Sequence, residues 1–584
     1  MGLQPHEYRL RNKGLQPRDF VSRCYHETVP SSVLEPSNEP LNDAAKPVSA
    51  RPTIGFVSLG CPKNLVDSEV MMGLLDRAGG RLTALAEDAE ILVVNTCSFI
   101  DSAKQESVNA ILEMAHHKRE NGGKARRLIV AGCLVERYRD EIRRNIPEVD
   151  AVLGTGELES ILEAAGLTAR AAPAKLASPF NILVSRAASS VHQHSHPSEV
   201  GAQLGMHLGA PHLGVPGQLA GWGERLASEM WDGAATHSRS EGNAREKSGR
   251  FSRAQWDGAA AALPEYLYSD LTPRILTTPR SSAYIKIAEG CDHPCSFCII
   301  PQLRGKFRSR RLESIVAEAE RLIAQGVREI TLIGQDTTCY GEDLGLRDGL
   351  ATLLDALAVL PGLRWLRFLY AYPNKVTTRL LETMARHETI AKYLDVPLQH
   401  ASPSVLKRMK RGGTPEVFLR LIEKARAMVP GIVLRSTFIV GFPGETAEDF
   451  NELEEFVVKA KLDWVGVFCY SDEEGAAAFA LDSTLKVPKR TIEARRRRLM
   501  KLQQKISAKA KAAWVGREVD LLVEGESDET ELLWQGRTAM HAPEIDGKVL
   551  INDFGPHQAL VPGTFYRAVI TESHDYDVVA RIIE

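Results

Sequence analysis

The chain has 584 residues, a formal net charge of −3 and nine cysteines. This length predicts several domains with sizeable cores, while a charge so near balance indicates no particular partner for the chain as a whole. An odd number of cysteines, six of them in two patterned sets, argues against a disulfide framework and for metal binding in a reducing compartment. No apolar secretory signal opens the chain and no stretch of about 18 apolar residues occurs, so we expect a cytoplasmic protein without a membrane partner.

The first 168 residues divide into two regions of different character. Residues 1–50 carry Arg, Pro, Ser and Asn without periodicity, and we interpret them as a disordered extension. From residue 51 to 168, apolar strands alternate with helical stripes, and the strands are predicted at 54–59, 91–95, 128–132 and 149–153. This alternation predicts an α/β domain built on a doubly wound parallel sheet.

One cysteine follows each of the first three predicted strands. Cys61 lies in S-L-G-C-P-K-N, Cys97 in V-V-N-T-C-S and Cys133 in I-V-A-G-C-L. Open α/β sheets bind their ligands at the edge where the carboxyl ends of the strands meet, so cysteines 36 residues apart can come together there. Three buried core cysteines are the ordinary alternative, because cysteine is often a small core residue. A metal cluster with three cysteine ligands is the sharper interpretation of this spacing.

Residues 172–262 interrupt the pattern. Ala, Gly, Ser and His dominate this segment and no apolar stripe persists, so we interpret it as a low-complexity insertion without a catalytic role. His192, His194 and His196 alternate in H-Q-H-S-H, which could bind a metal, but a solvated loop is the favoured interpretation.

The second cysteine set lies in a single loop of the next domain, which we place at 272–510. Cys291, Cys295 and Cys298 follow the first predicted strand of this domain with the spacing C-x3-C-x2-C. Three thiolates in one loop can hold three corners of a [4Fe–4S] cluster and leave the fourth iron open to another ligand. The alternative is a structural zinc site with His293 as the fourth ligand, but the second ligand pair that is usual in zinc sites does not follow.

Six predicted strands with helices between them indicate that this domain is an open, partial (β/α) barrel. They are placed at 284–288, 329–333, 365–370, 393–398, 432–440 and 464–470. The chemistry of such barrels takes place at the carboxyl ends of the strands. The residues after the second and fifth strands are therefore candidates for contact with a cofactor: Gln335, Asp336, Gly441, Gly444 and Glu445.

The remaining expectations for this domain are structural. Thr446 and Asp449 are expected to cap the helix that follows the fifth strand. Cys339 and Cys469 are interpreted as core residues. We nominate no side chain as a general acid or base.

The end of the chain is predicted to be a basic helix followed by a small domain of short strands. The helix, at 489–511, has Leu499, Leu502 and Ile506 on one face, and we interpret its charges mainly as a solvated surface. Residues 511–584 indicate a small β-barrel of oligonucleotide-binding type. Its five strands are predicted at 518–523, 530–535, 548–551, 566–572 and 578–583.

The charge of this last domain argues against RNA binding. From residue 515 to 584 it has five basic and fourteen acidic side chains, a balance of 5 − 14 = −9. Phosphate-binding surfaces need the opposite sign. We therefore expect the barrel to repel RNA and to attract a basic protein.

The order of these features resembles the methylthiotransferase family of radical S-adenosylmethionine (SAM) enzymes, over residues 53–168 and 272–584. The motifs that carry the resemblance are C-P-K-N-L-V-D-S-E from Cys61, the loop of the second cysteine set, and G-R-T followed by A-P-E-I-D-G in the last domain. The resemblance implies a central partial (β/α)6 radical SAM barrel and a small all-β barrel of the TRAM type. His541 departs from the family pattern, in which an acidic residue would precede Ala542.

The resemblance also implies two [4Fe–4S] clusters, SAM and a reaction. The first cysteine set would hold an auxiliary cluster that carries sulfur, and the second set would hold the cluster that binds SAM. Cleavage of SAM, with an electron from a reductant protein, would yield a radical that removes hydrogen from the β-carbon of an aspartate, where a methylthio group is inserted. Within the family the motifs are most like those of the members that modify protein twelve of the small ribosomal subunit (uS12), a basic protein.

Two other functions are compatible with the same motifs. A tRNA adenosine methylthiotransferase of this family would need a basic surface for RNA, which makes tRNA the less favoured partner. A non-catalytic iron–sulfur protein that docks on ribosomes would not need the polar loops at Gly334 and Gly441, and it would release no 5′-deoxyadenosine.

Overall fold

The computed structural model describes residues 51–168, 264–527, 530 and 532–584. The predicted disordered extension at 1–50 and the predicted insertion at 172–262 lie outside the described residues. The described regions are an amino-terminal α/β domain, a central partial barrel and a carboxyl-terminal β-barrel, which confirms the predicted fold class. Among the described helices, none is both long and apolar enough to cross a membrane.

The amino-terminal domain is a sheet of five parallel strands. These are β1 (Thr53–Ser58), β2 (Arg81–Thr83), β3 (Ile91–Thr96), β4 (Arg127–Gly132) and β5 (Ala151–Leu153). They lie in the order β2-β1-β3-β4-β5. Strand β2 was not predicted, because three residues at the edge of a sheet are too few to produce a recognisable pattern.

Helices cover both faces of this sheet, as the doubly wound prediction requires. They are α1 (Pro62–Arg77), α2 (Asp101–Ala115), α3 (Cys133–Asn145) and α4 (Ile161–Ala165). Successive side chains of β3 are buried on opposite faces, because side chains alternate along a strand. Ile91 and Val93 pack with residues of α1 and α4, whereas Leu92 and Val94 pack with residues of α2 and α3.

The central domain has six parallel strands, in agreement with the predicted number. Its strands are β6 (Ser282–Lys286), β7 (Ala288–Glu289), β8 (Arg308–Ser309), β9 (Glu329–Ile333), β10 (Trp365–Phe368), β11 (Tyr393–Asp395), β12 (Val433–Val440) and β13 (Trp464–Cys469). The six parallel strands form two sheets, β6-β9-β10 and β11-β12-β13, and a bridge between Leu366 and Ile390 joins them. The carboxyl ends of all six therefore open toward one end of the barrel.

The prediction of the first barrel strand at 284–288 was wrong for its last two residues. Strand β6 ends at Lys286, and β7 instead pairs antiparallel with β8. Ala288 lies opposite Ser309 and Glu289 lies opposite Arg308. This short ribbon closes the base of the loop that contains the second cysteine set.

Helices alternate with the strands of the barrel. They are α5 (Ile300–Arg304), α6 (Leu312–Ala324), α7 (Gly349–Ala358), α8 (Thr378–Arg386), α9 (Pro403–Arg408), α10 (Pro415–Met428) and α11 (Ala447–Ala460). Helix α11 begins with the predicted cap, since the side chains of Thr446 and Asp449 each accept a hydrogen bond from the other's backbone N–H. The cap fixes the point at which the loop after β12 ends.

The basic helix α12 (Lys489–Ala512) connects the barrel of the central domain to the last domain. Leu499 is buried in the core of the central domain, and Leu502 and Ile506 pack against that core. The predicted apolar face of this helix is therefore confirmed.

The last domain is a closed barrel of five strands. They are β14 (Glu518–Glu526), β15 (Trp534–Arg537), β16 (Val549–Asp553), β17 (Phe565–Ser573) and β18 (Val578–Ile582), in the order β14-β15-β16-β18-β17. The small all-β barrel is confirmed. The strand predicted at 530–535 begins later than expected, at Trp534.

His541 lies in the interface between the last barrel and the central domain. Its ring is fully buried between Trp464 and Trp514, at centroid distances of 5.5 and 5.7 Å, and its Nδ1 lies 2.9 Å from Oγ1 of Thr538. Because His541 is buried, its difference from the family pattern leaves the surface charge of the barrel unchanged. Burial, followed by the positive charge of Lys511, lowers the pKa of His541 to about 3.

The lowered pKa of His541 predicts that the protein is less stable in mild acid. In the unfolded chain the imidazole gains a proton as the pH falls below about 6.5, whereas in the folded protein it stays neutral down to about pH 3. The contribution of His541 to stability is thus complete above pH 6.5 and is lost between these values, by up to about 1.4 kcal/mol per pH unit. Urea unfolding at about pH 7.5 and pH 5.5 should show a smaller loss for His541→Gln than for the unsubstituted protein. Substitution of the exposed His574 by Gln is the control, and an equal loss in all three proteins would contradict the prediction.

Candidate functional site

The cysteines of the amino-terminal domain meet at the carboxyl edge of its sheet. We call Cys61, Cys97 and Cys133 the amino-terminal triplet. Cys61 is the residue before α1, Cys97 follows β3 directly, and Cys133 is the first residue of α3. These cysteines follow β1, β3 and β4, which are neighbours in the sheet, and burial, followed by the charges of Cys133 and Cys61, raises the pKa of Cys97 to about 12. The sequence-based prediction that they come together is in agreement with this arrangement.

A glycine makes the close approach of two of these cysteines possible. Gly60 has a φ of +91°, and a Cβ atom built on it would lie 2.8 Å from Cβ and 3.0 Å from Sγ of Cys97. A side chain at this position would therefore displace Cys97 and also occupy a backbone conformation that favours glycine.

Positive charge from two sources surrounds the amino-terminal triplet. Burial opposes ionisation of Cys61, but Lys63 and Arg304 outweigh it, and the pKa of this thiol is lowered. The ammonium of Lys63 lies 3.5 Å above the ring of Tyr370, a residue of the central domain. Cys61 and Cys133 also lie at the amino ends of two helices, where the helix dipole favours a thiolate. The surroundings thus favour the thiolate of Cys61, whereas burial raises the pKa values of Cys97 and Cys133.

The second set, Cys291, Cys295 and Cys298, which we call the loop triplet, lies between the β7–β8 ribbon and α5. Burial raises the pKa of Cys291 to about 11 and that of Cys298 to about 12, with the neighbouring cysteines as further causes. The guanidinium of Arg411 lies 3.7 Å from Sγ of Cys295. None of the eight described cysteines forms a disulfide, so both triplets offer free thiols, the ligands of iron–sulfur clusters.

His293 lies against Asp336 and Cys339, and the ligand atoms of these three residues lie within 4.8 Å of one another, close enough to hold a metal ion. The Nε2 of His293 lies 2.6 Å from Oδ2 of Asp336, and its ring stacks on Tyr372 at 3.9 Å. The same carboxylate accepts hydrogen bonds from Thr338 and from the thiol of Cys339, which is half-buried rather than a core residue. Burial opposes ionisation of Asp336, but the hydrogen bonds from His293, Thr338 and Cys339 orient this carboxylate and lower its pKa.

Gln335 contacts the base of the loop triplet. Its Nε2 donates to Oε1 of Glu289 in β7 over 2.6 Å. Its Oε1 is buried and has no hydrogen-bond partner among the described residues. A buried amide oxygen without a partner suits a ligand that carries a hydrogen-bond donor.

The loop from Gly441 to Glu445 has its own internal structure. Glu445 accepts hydrogen bonds from the backbone N–H groups of Gly441 and Phe442 and, through its other oxygen, from Arg495 at 2.9 Å. Burial raises the pKa of Glu445 to about 7. A Cβ atom on Gly441 would lie 2.3 Å from Ile492, so packing against α12 explains this glycine. Contact of Gly441, Gly444 and Glu445 with a cofactor stays a prediction.

Helix α5 joins the two triplets. Ile299, just before this helix, and Leu303 within it pack against Cys133, and Oγ1 of Thr155 donates to the carbonyl of Leu303 over 2.6 Å. Arg304, the last residue of α5, lies 3.5 Å from Sγ of Cys133. The chain thus passes from Cys298 of the loop triplet to a contact with the amino-terminal triplet within six residues.

Arg304, Lys63 and Arg411 were not identified from the sequence. The position of Arg304 directly after the cysteine loop, in the sequence I-I-P-Q-L-R, was a usable signal, because a charged residue so near a proposed cluster is a candidate for contact with it. Lys63 lies inside the motif that follows Cys61, but its contact with Tyr370 depends on the packing of two domains, which no local pattern reveals.

Family models match the three domains separately. The Radical SAM superfamily model covers residues 285–457, that of the uncharacterised protein family UPF0004 covers residues 53–154, and that of the TRAM domain covers residues 515–583. A partial barrel with three cysteines in the loop after its first strand, matched by the first of these models, defines a radical SAM protein.

Curated relatives identify the family more closely. The ribosomal protein uS12 methylthiotransferase RimO of Koribacter versatilis is 62% identical over 91% of this chain and 96% of its own length. The proteins of the same name from Solibacter usitatus and Sorangium cellulosum are 51% and 41% identical, each over 91% of this chain, and over 94% and 91% of their own lengths. The chain therefore belongs to the RimO family of radical SAM methylthiotransferases, which confirms the resemblance inferred from its motifs.

The close contact at Gly60 gives a test of the amino-terminal triplet. Gly60→Ala should destabilise the protein and lower the iron bound per chain, because the new methyl group overlaps Cys97. Gly122→Ala is the matched control, since its φ of +89° carries the same backbone strain while no described atom lies within 4 Å of the new methyl group. The control should cost about 1–2 kcal/mol of unfolding free energy from backbone strain alone, and overpacking should cost Gly60→Ala about 1–3 kcal/mol more. Equal unfolding free energies and equal iron contents would contradict the packing described here.

Proposed function

We propose that this enzyme inserts a methylthio group at the β-carbon of an aspartate in ribosomal protein uS12, using SAM and two [4Fe–4S] clusters. The observation that carries the proposal is the pair of free cysteine triplets, one at each end of the path through α5. A radical SAM enzyme that only generates a radical needs the loop triplet alone. A second triplet beside it fits a reaction that also delivers a sulfur atom.

The loop triplet would hold the cluster that binds SAM. Its three sulfurs leave one iron of a [4Fe–4S] cluster without a protein ligand. The unpartnered amide oxygen of Gln335 and the oriented carboxylate of Asp336 are the proposed contacts for the donor groups of SAM. Glu445 would act by shaping the loop that contains Gly441 and Gly444, because both of its oxygens already accept hydrogen bonds from the protein.

The amino-terminal triplet would hold the auxiliary cluster. Its cysteines lie at one edge of the sheet, Cys61 and Cys133 are at the amino ends of two helices, and Lys63 and Arg304 supply positive charge beside Cys61. This donor set suits iron. Three neutral core cysteines would not compensate the cost of burying cations beside them.

When they are bound, SAM and the two clusters would supply the chemistry, namely a radical that removes hydrogen from an unactivated carbon and a sulfur group that replaces this hydrogen. The chain's own contribution would be to hold the two triplets near each other through α5 and to keep water away from the reacting groups. The contact of Lys63 with the ring of Tyr370 links the first domain to the segment that follows β10. We assign no side chain as general acid or base.

The last barrel is the proposed docking surface for the basic substrate. Glu526, Asp553, Glu572, Asp575 and Glu584 are exposed on it, and Arg537, one of its five basic residues, is buried against Glu329 and Glu524. A negative surface attracts a basic protein and repels a nucleic acid. This charge favours uS12 over tRNA as the partner, and a ribosomal substrate implies action in the cytoplasm, with electrons from a reductant protein.

Removal of each triplet should abolish a different part of the reaction. Replacement of the loop triplet by alanine should abolish the release of 5′-deoxyadenosine from SAM and reductant, and leave about four irons per chain on the other triplet. Replacement of the amino-terminal triplet should leave 5′-deoxyadenosine release intact and stop methylthiolation of uS12. Each variant is the control for the other, with iron analysis and mass spectrometry of uS12 as readouts. If the unsubstituted protein releases no 5′-deoxyadenosine, the non-catalytic docking function is the better explanation.

The charge of the barrel should govern binding to uS12. Glu526→Lys with Glu572→Lys changes the net charge of the barrel by four units and should weaken binding at least tenfold at low salt. Glu382→Lys with Glu423→Lys makes the same change on exposed helices of the central domain and should have little effect. Binding of the unsubstituted protein should weaken as salt rises, because exposed charges are screened over about 10 Å at 0.1 M salt. Insensitivity to salt, or equal effects of the two double variants, would contradict docking through the barrel.

A further inference from the structure

Arg304 is a buried cation at the contact between the two cysteine triplets. Its side chain is only 2% exposed, which is unusual for an arginine. It was not among the residues predicted to contact a cofactor. Its Nη1 lies 2.6 Å from Oδ2 of Asp67, and its Nη2 lies 3.1 Å from Oδ1 of Asn64 and 3.5 Å from Sγ of Cys133. Asp67 and Asn64 belong to α1, so three groups of the first domain hold one side chain of the central domain.

The charges around Arg304 balance closely. Lys286 forms ion pairs with Asp67 and Glu289, and Arg304 pairs with the same two carboxylates. Burial opposes ionisation of Glu289, but Lys286 and Arg304 lower its pKa to about 2. Two cations and two carboxylates thus sum to zero, and the loss of either cation leaves one uncompensated negative charge in a buried place.

We propose that Arg304 is a positioning residue that holds Cys133 through a hydrogen bond to its sulfur and, by its charge, sets the reduction potential of the cluster bound by the amino-terminal triplet. This inference rests on the auxiliary cluster proposed above. Hydrogen bonds to the sulfurs and the net charge nearby are the main means by which a protein tunes such a cluster. A hydrogen-bond donor and a positive charge both stabilise the reduced, more negative form.

Arg274 provides a comparison for a purely structural role. It is also buried, at 4% exposure, and its Nε lies 2.8 Å from Glu69 of α1 while its Nη1 lies 2.7 Å from Glu318 of α6. It therefore joins the same two domains through ion pairs of the same kind, without a contact to a cysteine sulfur. The two arginines therefore differ in whether they contact a cysteine sulfur.

The experiment uses the full chain with the loop triplet replaced by alanine, so that the amino-terminal triplet is the cysteine triplet that remains to bind a cluster. Arg304→Gln, Arg304→Lys and Arg274→Gln are introduced separately, and each protein is reconstituted without oxygen. Iron is counted, and the reduction potential is measured by titration followed with electron paramagnetic resonance. At a fixed potential, Arg304→Gln should lower the ratio of reduced to oxidised cluster at least tenfold, which corresponds to about 59 mV for one electron.

The other variants separate charge from hydrogen bonding. Arg304→Lys keeps the charge, so it should recover most of the potential while its resonance spectrum differs from that of the parent, because the hydrogen bond to Cys133 is changed. Arg274→Gln should bind iron with an unaltered potential. If Arg304→Gln and Arg274→Gln both bind iron and share one potential, Arg304 has only a structural role and the proposal is overturned.

Failure of a protein to bind iron is also informative, and it has a different meaning for Arg304→Gln and for the parent protein. If Arg304→Gln fails to bind iron, Asp67→Asn replaces it, since the loss of a carboxylate beside Arg304 should raise the ratio of reduced to oxidised cluster at least tenfold; an unchanged or lowered ratio refutes the inference. If the parent protein with the intact amino-terminal triplet binds no iron, the auxiliary cluster of the proposed function is wrong. The iron count of the parent thus tests the proposed function, and the potentials of the variants test the role of Arg304.

Discussion

The buried group of Arg304, Lys286, Asp67 and Glu289 is the interaction on which the arrangement of this protein depends. It joins α1 of the first domain to β6, β7 and α5 of the central domain. Charges taken out of water are stable only when they are fully paired, and removal of one partner from such a group typically costs about 3–5 kcal/mol. The group therefore enforces one relative position of the two domains, because any shift would leave a charge unpaired. Cys61 directly precedes α1 and the loop triplet lies between β7 and α5, so these four cysteines are carried by elements that meet at this group.

The fold brings the functional residues together by a simple geometric rule. Cys61, Cys97 and Cys133 follow three adjacent parallel strands, and parallel strands end at the same edge of a sheet. The loop triplet is held differently, since the β7–β8 ribbon closes its base and α5 follows its last cysteine. A sheet edge and a closed loop thus present six sulfurs from two separate parts of the chain.

Local patterns predicted most of the fold and the cysteine sets, because strand alternation, helical stripes and cysteine spacing are properties of short segments. The strand ends of the first domain and the cap formed by Thr446 and Asp449 are examples. Contacts between domains were beyond such patterns. The burial of His541, the role of Arg304 and the packing of Gly441 against Ile492 each depend on residues more than about 50 positions apart. The end of β6 at Lys286 was missed for a similar reason, since β7 leaves the sheet only because β8 is available to pair with it.

The position of Arg537 changes how the charge of the last barrel is understood. Its guanidinium lies in the joint with the central domain, bound to Glu329, Glu524 and Ser282, and Arg567 is engaged with Glu518 and Asp520. Arg537 thus acts as a contact between this barrel and the central domain, and it contributes no positive charge to the surface that faces the solvent. The most deeply buried of the five basic residues of this barrel is therefore a structural contact that a ligand in solution does not reach.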